Sequence, residues 1–416
     1  MTVLREPKTS FLKVIIILFF IYNVNYSFIP LDIPSTYISF AVILLLCLYS
    51  ALKTKRIPLS NTTATFFCLL LFAVSLVSYF INAEHADIYM LRTTFIYLLM
   101  SLCISPFLRV VFKNNLIVIM KTIGYAGVVN ALFILSMLVI KPFQHFYLSL
   151  LSQKTFLLIG GEDAIESLMS LRMIGITGFS AYTTGFVQIL CAISYIYFMI
   201  LRDVKIKLRL KDYFILVVIF MSALVSARSS LIGIVLSVGI LMFNMNAIKL
   251  IKTVLASILA IITIFILIVP MLPVDSRDFF INWATEFFVS GTKTGSLQSN
   301  IDMYIYSLKD FSMFGESRWY GDNNDYFMNT DVGWYRLAFS IGIVGVIVWC
   351  FTIFSVFGFD KVFTSKIRIE NVISIALLIY ILLMMFKGAI VFDSFQSIFI
   401  FLIFNYVFNQ RENYEA

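Results

Sequence analysis

Residues 116–140 read LIVIMKTIGYAGVVNALFILSMLVI, an apolar run long enough to cross a bilayer as one helix. Runs of this kind recur along the chain, which is 61% hydrophobic and only 13% charged, with a mean hydropathy of +0.95. Soluble domains carry about 25% charged residues. An outer-membrane barrel is excluded because its strands would alternate in hydrophobicity. The chain is therefore predicted to be an all-α polytopic integral membrane protein.

Hydropathy predicts about twelve transmembrane helices in a single transmembrane domain over residues 1–416. The positive-inside rule places both termini in the cytoplasm, since that orientation puts most of the 31 basic residues and under a third of the 23 acidic residues inside. No small-residue cleavage site follows the first run, which is therefore interpreted as a helix. The predicted spans are 11–29, 36–52, 62–81, 88–108, 116–140, 180–201, 213–227, 231–248, 252–273, 334–357, 371–387 and 390–408.

Two outer loops are much longer than the inner ones. The first large periplasmic loop is predicted at 141–179 and the second at 274–333. Within the second, residues 296–311 have apolar side chains near helical spacing, which predicts an amphipathic helix on the outer membrane surface. Long loops on one face of a membrane bundle are usually functional.

The net charge of +8 follows from this topology and does not indicate a nucleic-acid partner. The five cysteines all lie in apolar runs, and neither they nor the two histidines show metal-ligand spacing. No nucleotide-binding or nucleophile-elbow motif is present, so no cofactor or metal is expected. An enzyme of this kind would take its energy from an activated substrate.

Three arginines, Arg172, Arg228 and Arg336, lie at outer edges of apolar segments. Charge near a bilayer is expensive and usually functional, and guanidinium is a preferred bidentate partner of phosphate. They are therefore candidates to bind a lipid-linked phosphate. The alternative for each is a structural arginine at the membrane edge.

Other polar groups on the outer side are also candidates. The stretch 321–336 combines Asn324, Asp325, Asp331 and Trp334, a mixture typical of carbohydrate sites. Arg92 near the end of the fourth span either joins the same cavity or is ion-paired for structure. By contrast, the turn between the last two spans carries an aspartate and a lysine, at 393 and 387, that are expected to form a solvated pair.

Three short motifs resemble the O-antigen polymerase and ligase superfamily, which contains Wzy-type polymerases and lipid-A-core ligases. The first is the RMIGITGFS stretch from Arg172, the second is SARSSL around Arg228, and the third is DVGWYRL around Arg336, followed by IGIVG at 341–345. Their order, sidedness and the two-loop topology are similar to those of the superfamily over most of the chain.

The resemblance implies a glycosyltransferase of the bacterial inner membrane that polymerises surface-polysaccharide repeat units of lipopolysaccharide. The substrate would be an oligosaccharide on undecaprenyl diphosphate, and whether a chain-length regulator binds is left open. Arginines would stabilise the charge that develops on the leaving diphosphate, and a carboxylate would accept the acceptor proton. The candidate catalytic residues are Arg172, Arg228 and Asp331, and the candidate substrate-binding residues are Arg336, Arg318, Asp325, Asn324, Tyr182, Trp334 and Arg92.

The sequence departs from the family pattern at one point. Some members carry an R-x10-G motif, but Thr183 stands where that glycine would follow Arg172. The second loop has no histidine, whereas the ligase branch carries one, and this favours a polymerase. A ligase of the same superfamily and a flippase for lipid-linked oligosaccharide are the alternatives; a flippase would be expected to show symmetric repeats and charge at mid-membrane.

Overall fold

The protein is described by a computed structural model that covers residues 9–29, 33–55, 59, 61–152, 175–176, 181–203, 209–245, 301–321, 325–358, 368–394 and 396–415, with isolated residues between 251 and 298. Within these ranges it is helical and contains no strand. The helices are α1 (Phe11–Ile21), α2 (Ser35–Thr54), α3 (Thr62–Ile81), α4 (Tyr89–Phe112), α5 (Leu116–Val139), α6 (Lys141–Ser149), α7 (Ala181–Arg202), α8 (Leu210–Ser226), α9 (Ser230–Met242), α10 (Gly333–Val356), α11 (Ile369–Met385), α12 (Ile390–Asp393) and α13 (Gln396–Glu415).

Six helices of the described part are long and apolar enough to cross a membrane, namely α2, α3, α4, α5, α10 and the Tyr182–Arg202 portion of α7. This confirms the prediction of an all-α protein suited to a bilayer. The count of about twelve spans and the two periplasmic loops stay predictions.

Helix bounds follow local sequence signals at several positions. The Asn61 side chain caps α3 by accepting a hydrogen bond from the Ala64 N–H at 3.0 Å, and Asn115 caps α5 in the same way through Val118 at 3.1 Å. Lys113 ends α4 in a left-handed conformation. These caps satisfy backbone groups that an apolar helix end would otherwise leave unpaired.

Three expected elements differ from the structure. The span predicted at 11–29 ends at Ile21, because the chain then turns and the backbone around Val24 and Tyr26 pairs with Ser35 and Leu151. The span at 390–408 is interrupted after Asp393, where Ser394 bonds Gln396 in a polar turn.

The amphipathic helix predicted over 296–311 is not continuous. Residues 304–307 are not helical, and Leu308–Asp310 form a short 3-10 helix. The tyrosines of this stretch bond to distant partners, since Tyr306 donates to the Met328 carbonyl at 3.0 Å and its own carbonyl accepts from Tyr335 at 3.0 Å. These tertiary bonds replace the helical pattern.

The chain divides into two compact units, each built from two segments. The first contains residues 1–42 and 114–292, and the second contains residues 43–113 and 293–416. The prediction of a single transmembrane domain is neither confirmed nor contradicted by this division.

In the first unit, α5 packs against α1, α7 and α8, and α9 packs against α7. Gln188 on α7 connects these helices through hydrogen bonds in an apolar interior. Its amide donates to Ser222 Oγ on α8 at 2.7 Å and to the Gly127 carbonyl on α5 at 3.3 Å, and its Oε1 accepts from the Tyr22 hydroxyl at the end of α1. Four elements therefore share one fully buried amide.

In the second unit, α3 packs against α4 and α10, and α13 packs against α4. Helix α10 is broken at Gly342, which adopts φ 72° and ψ −179° about 13 Å along the helix from its start. The broken turn frees backbone groups that the segment 312–317 satisfies. Ile343 and Val344 donate to the carbonyls of Ser312 and Met313, and the Phe339 and Ser340 carbonyls accept from Glu316 and Ser317.

Only glycine fits where this segment meets the broken helix. A Cβ at Gly342 would lie 2.2 Å from the Met313 carbonyl oxygen, and one at Gly315 would lie 2.5 Å from the Gly342 nitrogen. The segment 312–317 therefore runs in backbone contact with α10 and leads directly to Arg318 and Trp319.

We expect Gln188→Leu to destabilise the first unit by roughly 1–3 kcal/mol, because it leaves the Tyr22 hydroxyl without its acceptor and removes the amide donor from Ser222 and Gly127. Unfolding of the purified protein can be followed with a thiol-reactive dye, since Cys47, Cys68, Cys103 and Cys191 are buried.

Ser194→Ala is the matched control, because Ser194 is equally buried on the same helix but bonds only within its own turn, to Leu190. An unfolding temperature for Gln188→Leu no lower than that of Ser194→Ala would show that the amide does not join the helices.

Candidate substrate site around Arg336

Arg336 lies in the first turns of α10 and is only 3% exposed. Its guanidinium carbon lies 4.0 Å from the ring centroid of Trp319 and 3.8 Å from that of Tyr326. Both rings therefore lie in direct contact with the guanidinium. Cation–π contacts of this kind stabilise a desolvated cation by about 2 kcal/mol each.

One nitrogen of Arg336 is paired with a carboxylate. Nη1 lies 3.1 Å from Oδ2 of Asp393 and donates a longer bond of 3.4 Å to its Oδ1. Asp393, whose side chain is 29% exposed, was expected to form a solvated pair with Lys387; instead it faces Arg336 at the polar break between α12 and α13. The break between the two helices places the Asp393 carboxylate next to Arg336.

The other edge of the guanidinium has no partner among the described residues. Nε and Nη2 of Arg336 are both buried and form no hydrogen bond there. These two N–H groups point outward in the plane of the guanidinium, so a ligand that completes their hydrogen bonds must lie in that plane. Nε and Nη2 together form the fork that binds two oxygens of a carboxylate or phosphate.

Asp87 holds the loop that supplies the Trp319 face. Its Oδ2 accepts hydrogen bonds from the backbone N–H groups of Trp319 and, at 3.1 Å, of Tyr320, while Oδ1 accepts from the Tyr89 N–H at 2.9 Å. The Asp87 N–H in turn donates to the Ser317 carbonyl at 2.8 Å. One carboxylate therefore ties residues 317–320 to the start of α4.

Tyr320 and Tyr326 form the exposed rim of the site. Residues 320 and 326 form an isolated bridge, and the Gly321 N–H donates to the Asp325 carbonyl at 2.7 Å. Their rings stack with centroids 6.4 Å apart and are 37% and 40% exposed. Partial burial and the nearby Asp393 charge raise the pKa of Tyr320 to about 12, so its hydroxyl stays protonated at neutral pH and can donate a hydrogen bond.

A layer of aromatic rings supports Trp319 from below. Trp319 stacks on Tyr89 at 5.1 Å and contacts Phe392 at 5.7 Å. Trp334, a predicted sugar-binding residue, lies further along this layer, where it meets Trp349 at 5.3 Å. Its ring is a packing element of the layer and is not a wall of the Arg336 pocket.

The remaining predicted residues of the second unit surround the pocket at different distances. Arg92 is exposed and lies over the Tyr89 ring at 5.2 Å, and Arg318 lies over Phe327 at 4.8 Å. Burial and then the Asp393 charge raise the pKa of Tyr326, and Asp331 is close enough to add a smaller effect in the same direction. Asp325 contributes its carbonyl to the turn and its side chain is exposed.

A second polar cluster lies in the first unit at the turn between α8 and α9. Arg228 occupies this turn, followed by Ser229 and Ser230, whose buried hydroxyls have no hydrogen-bond partner in the described part of the chain. The turn packs tightly on α7, because a Cβ at Gly185 would lie only 2.4 Å from Ser230 Oγ. Tyr182 is half-buried near the start of the same helix, α7.

Arg172 and Asn324 lie outside the described residues. Downstream of Arg172, the Ile176 N–H donates to Asn130 Oδ1 at 2.8 Å and its carbonyl accepts from the Tyr147 hydroxyl at 2.9 Å. This turn of the first loop is therefore fixed on α5 and α6.

Protein-family models, curated proteins and solved structures were compared with this chain. None of them matches it. The Arg336 pocket and the Arg228 turn must therefore be interpreted from their own chemistry. Among the described residues, no group of three His, Cys, Asp or Glu side chains could hold a metal ion.

Sequence reasoning selected Arg336 but missed three residues that complete its pocket. Asp393 was assigned to a solvated pair, and neither Asp87 nor Trp319 was singled out. The one available signal was aromatic clustering in 319–326, where Trp319, Tyr320 and Tyr326 surround a turn.

We expect Asp87→Ala to loosen the Trp319 face, since three backbone N–H groups lose a charged acceptor; hydrogen bonds to charged groups contribute about 1.5–3 kcal/mol. The measurement is intrinsic fluorescence, which should shift to longer wavelength as Trp319 meets water.

The shift should vanish in a Trp319→Phe background, which removes one of the four tryptophans. Glu84→Ala, which removes an exposed acid of the same loop, should leave the spectrum unchanged. Equal spectra for Asp87→Ala and wild type would contradict the role of Asp87 in holding residues 317–320.

Proposed function

We propose that this protein is a membrane glycosyltransferase that polymerises oligosaccharide repeat units linked to undecaprenyl diphosphate, at the periplasmic face of the bacterial inner membrane. The observation that carries the proposal is the buried Arg336, which packs against Trp319 and Tyr326 and has two N–H groups without a hydrogen-bond partner among the described residues.

Burial of an arginine with unused donors favours a ligand that completes its hydrogen bonds. Unpaired buried donors cost about 1–3 kcal/mol each, more when the group is charged. Exposed rings at Tyr320 and Tyr326 beside this cation suit the apolar face of a sugar, while the guanidinium suits an anionic group. A substrate with both a sugar and an anion therefore fits the pocket best.

The Arg228 turn of the first unit supports the phosphate part of the proposal. An arginine followed by two hydroxyls that have no partner among the described residues is suited to phosphate oxygens. In the proposed reaction, the acceptor hydroxyl oxygen bonds to the anomeric carbon of the growing chain as the bond from that carbon to the lipid diphosphate breaks. The bonding electron pair leaves with the diphosphate, whose developing charge Arg228 and Arg172 would stabilise.

A carboxylate would take the proton that the acceptor hydroxyl loses. Asp331, predicted from the sequence, is one candidate, and its proximity to Asp393 and Tyr326 supports a position beside the pocket. The ligase alternative uses the same chemistry with a different acceptor, and the flippase alternative requires no bond to form.

Deletion of the gene followed by gel analysis of the surface polysaccharide tests the proposal. A polymerase predicts that the ladder collapses to core plus a single repeat unit. Polymer that accumulates on the lipid carrier without attachment would instead indicate a ligase. Single units trapped on the inner leaflet would indicate a flippase, and either result would overturn the polymerase.

We expect Arg228→Ala and Arg172→Ala each to reduce polymerisation by about 100- to 1,000-fold, the loss typical of removing one donor to a developing anion. Arg→Lys should also be poor if the contact is bidentate. Polymer length in a deletion strain that expresses each variant is the measurement.

Arg109→Ala, which removes an exposed arginine in the last turn of α4, should retain normal polymer. Membrane levels of every variant must match wild type. Full ladders from both alanine variants at normal expression would rule out the diphosphate role of these arginines.

A further inference from the structure

We propose that the Arg336 pocket is a carboxylate-binding subsite that recognises an acidic sugar, such as a uronic acid residue, in the substrate. This inference deepens the proposed function and rests on it for the identity of the substrate. The free Nε–Nη2 edge of Arg336 binds the sugar carboxylate, and the exposed rings of Tyr320 and Tyr326 lie against the sugar ring.

The shape of the pocket requires a planar anion or one that offers two oxygens in a plane. Trp319 and Tyr326 pack against the guanidinium, and Asp393 occupies Nη1. Only the Nε–Nη2 edge remains, and a carboxylate matches that edge with two parallel hydrogen bonds.

Local charge favours an anion with one negative charge over a diphosphate. Arg336 already shares its charge with Asp393, and Asp331 is near enough to act on Asp393 electrostatically. The second cation close to the rim is Arg92, which acts on Tyr89 and Tyr320. With Arg318 and Asp87 beside Trp319, three arginines and three aspartates leave no excess positive charge for the several charges of a diphosphate, whereas one carboxylate forms one charge-assisted pair.

The rim provides what the rest of a sugar needs. Tyr320 and Tyr326 present partly exposed rings, and the Tyr320 hydroxyl stays protonated and can donate to a ring hydroxyl. Aromatic faces beside one charged group are the usual lining of a site that binds a polar ligand with an apolar side.

The experiment uses the full-length protein in nanodiscs and three probes: methyl glucuronide, methyl glucoside and inorganic pyrophosphate. The two glycosides differ only in the C6 carboxylate. Binding is followed by saturation-transfer NMR for the glycosides, with pyrophosphate as competitor. We expect the glucuronide to bind with a Kd on the order of millimolar, at least tenfold below that of the glucoside, a difference of about 1.4 kcal/mol.

Arg336→Gln combined with Asp393→Asn is the test variant, because it removes both charges of the pair and leaves neither buried alone. We expect it to lose the preference for the glucuronide while keeping the wild-type unfolding temperature within a few degrees. Lys309→Gln, which removes one charge from an exposed residue of the same unit away from the pocket contacts, should bind like wild type.

Three results would overturn the inference. One is equal binding of glucoside and glucuronide. Another is a glucuronide preference that survives in the double variant. The last is displacement of the glucuronide at a pyrophosphate concentration below the Kd of the glucuronide, which would assign the pocket to phosphate.

A sugar analysis of the polysaccharide made by the host separates this inference from the proposed function. If deletion of the gene collapses the ladder but the polymer contains no acidic sugar, the polymerase stands and the carboxylate subsite fails. If the glucuronide binds through Arg336 but deletion leaves the ladder intact, the subsite stands and the polymerase fails.

Discussion

The backbone groups freed at Gly342 determine the geometry of the second unit. A helix in an apolar environment cannot leave its carbonyls and N–H groups unpaired, and irregular backbone there is tolerated only where protein satisfies it. The segment 312–317 supplies those partners by pairing with residues on both sides of the break. Because that segment is fixed along α10 and leads directly to Trp319, the Trp319 ring lies over Arg336.

A guanidinium buried in this way is stable only because its surroundings replace water. Two aromatic rings and one carboxylate replace part of the interactions that the guanidinium would make with water. Tyr89 and Phe392 pack against Trp319 and hold its ring in place. The pocket is thus built before any ligand arrives, which reduces the entropy that binding must overcome. The unused Nε–Nη2 edge is then the part of the molecule best suited to discriminate between ligands.

The sequence was sufficient for the features that depend on local composition. The apolar runs predicted α3 at 62–81 with its observed bounds, Thr62–Ile81, and placed α10 within one residue of Gly333–Val356. Arg336 could be selected because charge beside an apolar run is unusual. These signals are local, so one sequence contains them.

The features that the sequence did not reveal depend on contacts between distant residues. Asp393 was paired with Lys387 because the two are neighbours along the chain, whereas the folded protein offers Asp393 a desolvated arginine 57 positions away. The helix expected over 296–311 had the right periodicity, but Tyr306 makes its hydrogen bonds with residues around 328 and 335. Helical periodicity alone cannot anticipate such bonds.

The hydrogen bond from the Trp319 N–H to the Asp87 carboxylate joins residues that are 232 positions apart in the sequence. During synthesis, the start of α4 therefore enters the membrane long before residues 317–320 are made. Until then, the Asp87 carboxylate stays solvated at the membrane surface. The Arg336 pocket is consequently among the last parts of the second unit to form. A chain that is released early, even with its first helices correctly inserted, would contain α4 without the loop that packs against Arg336, and it would occupy the membrane with this pocket incomplete.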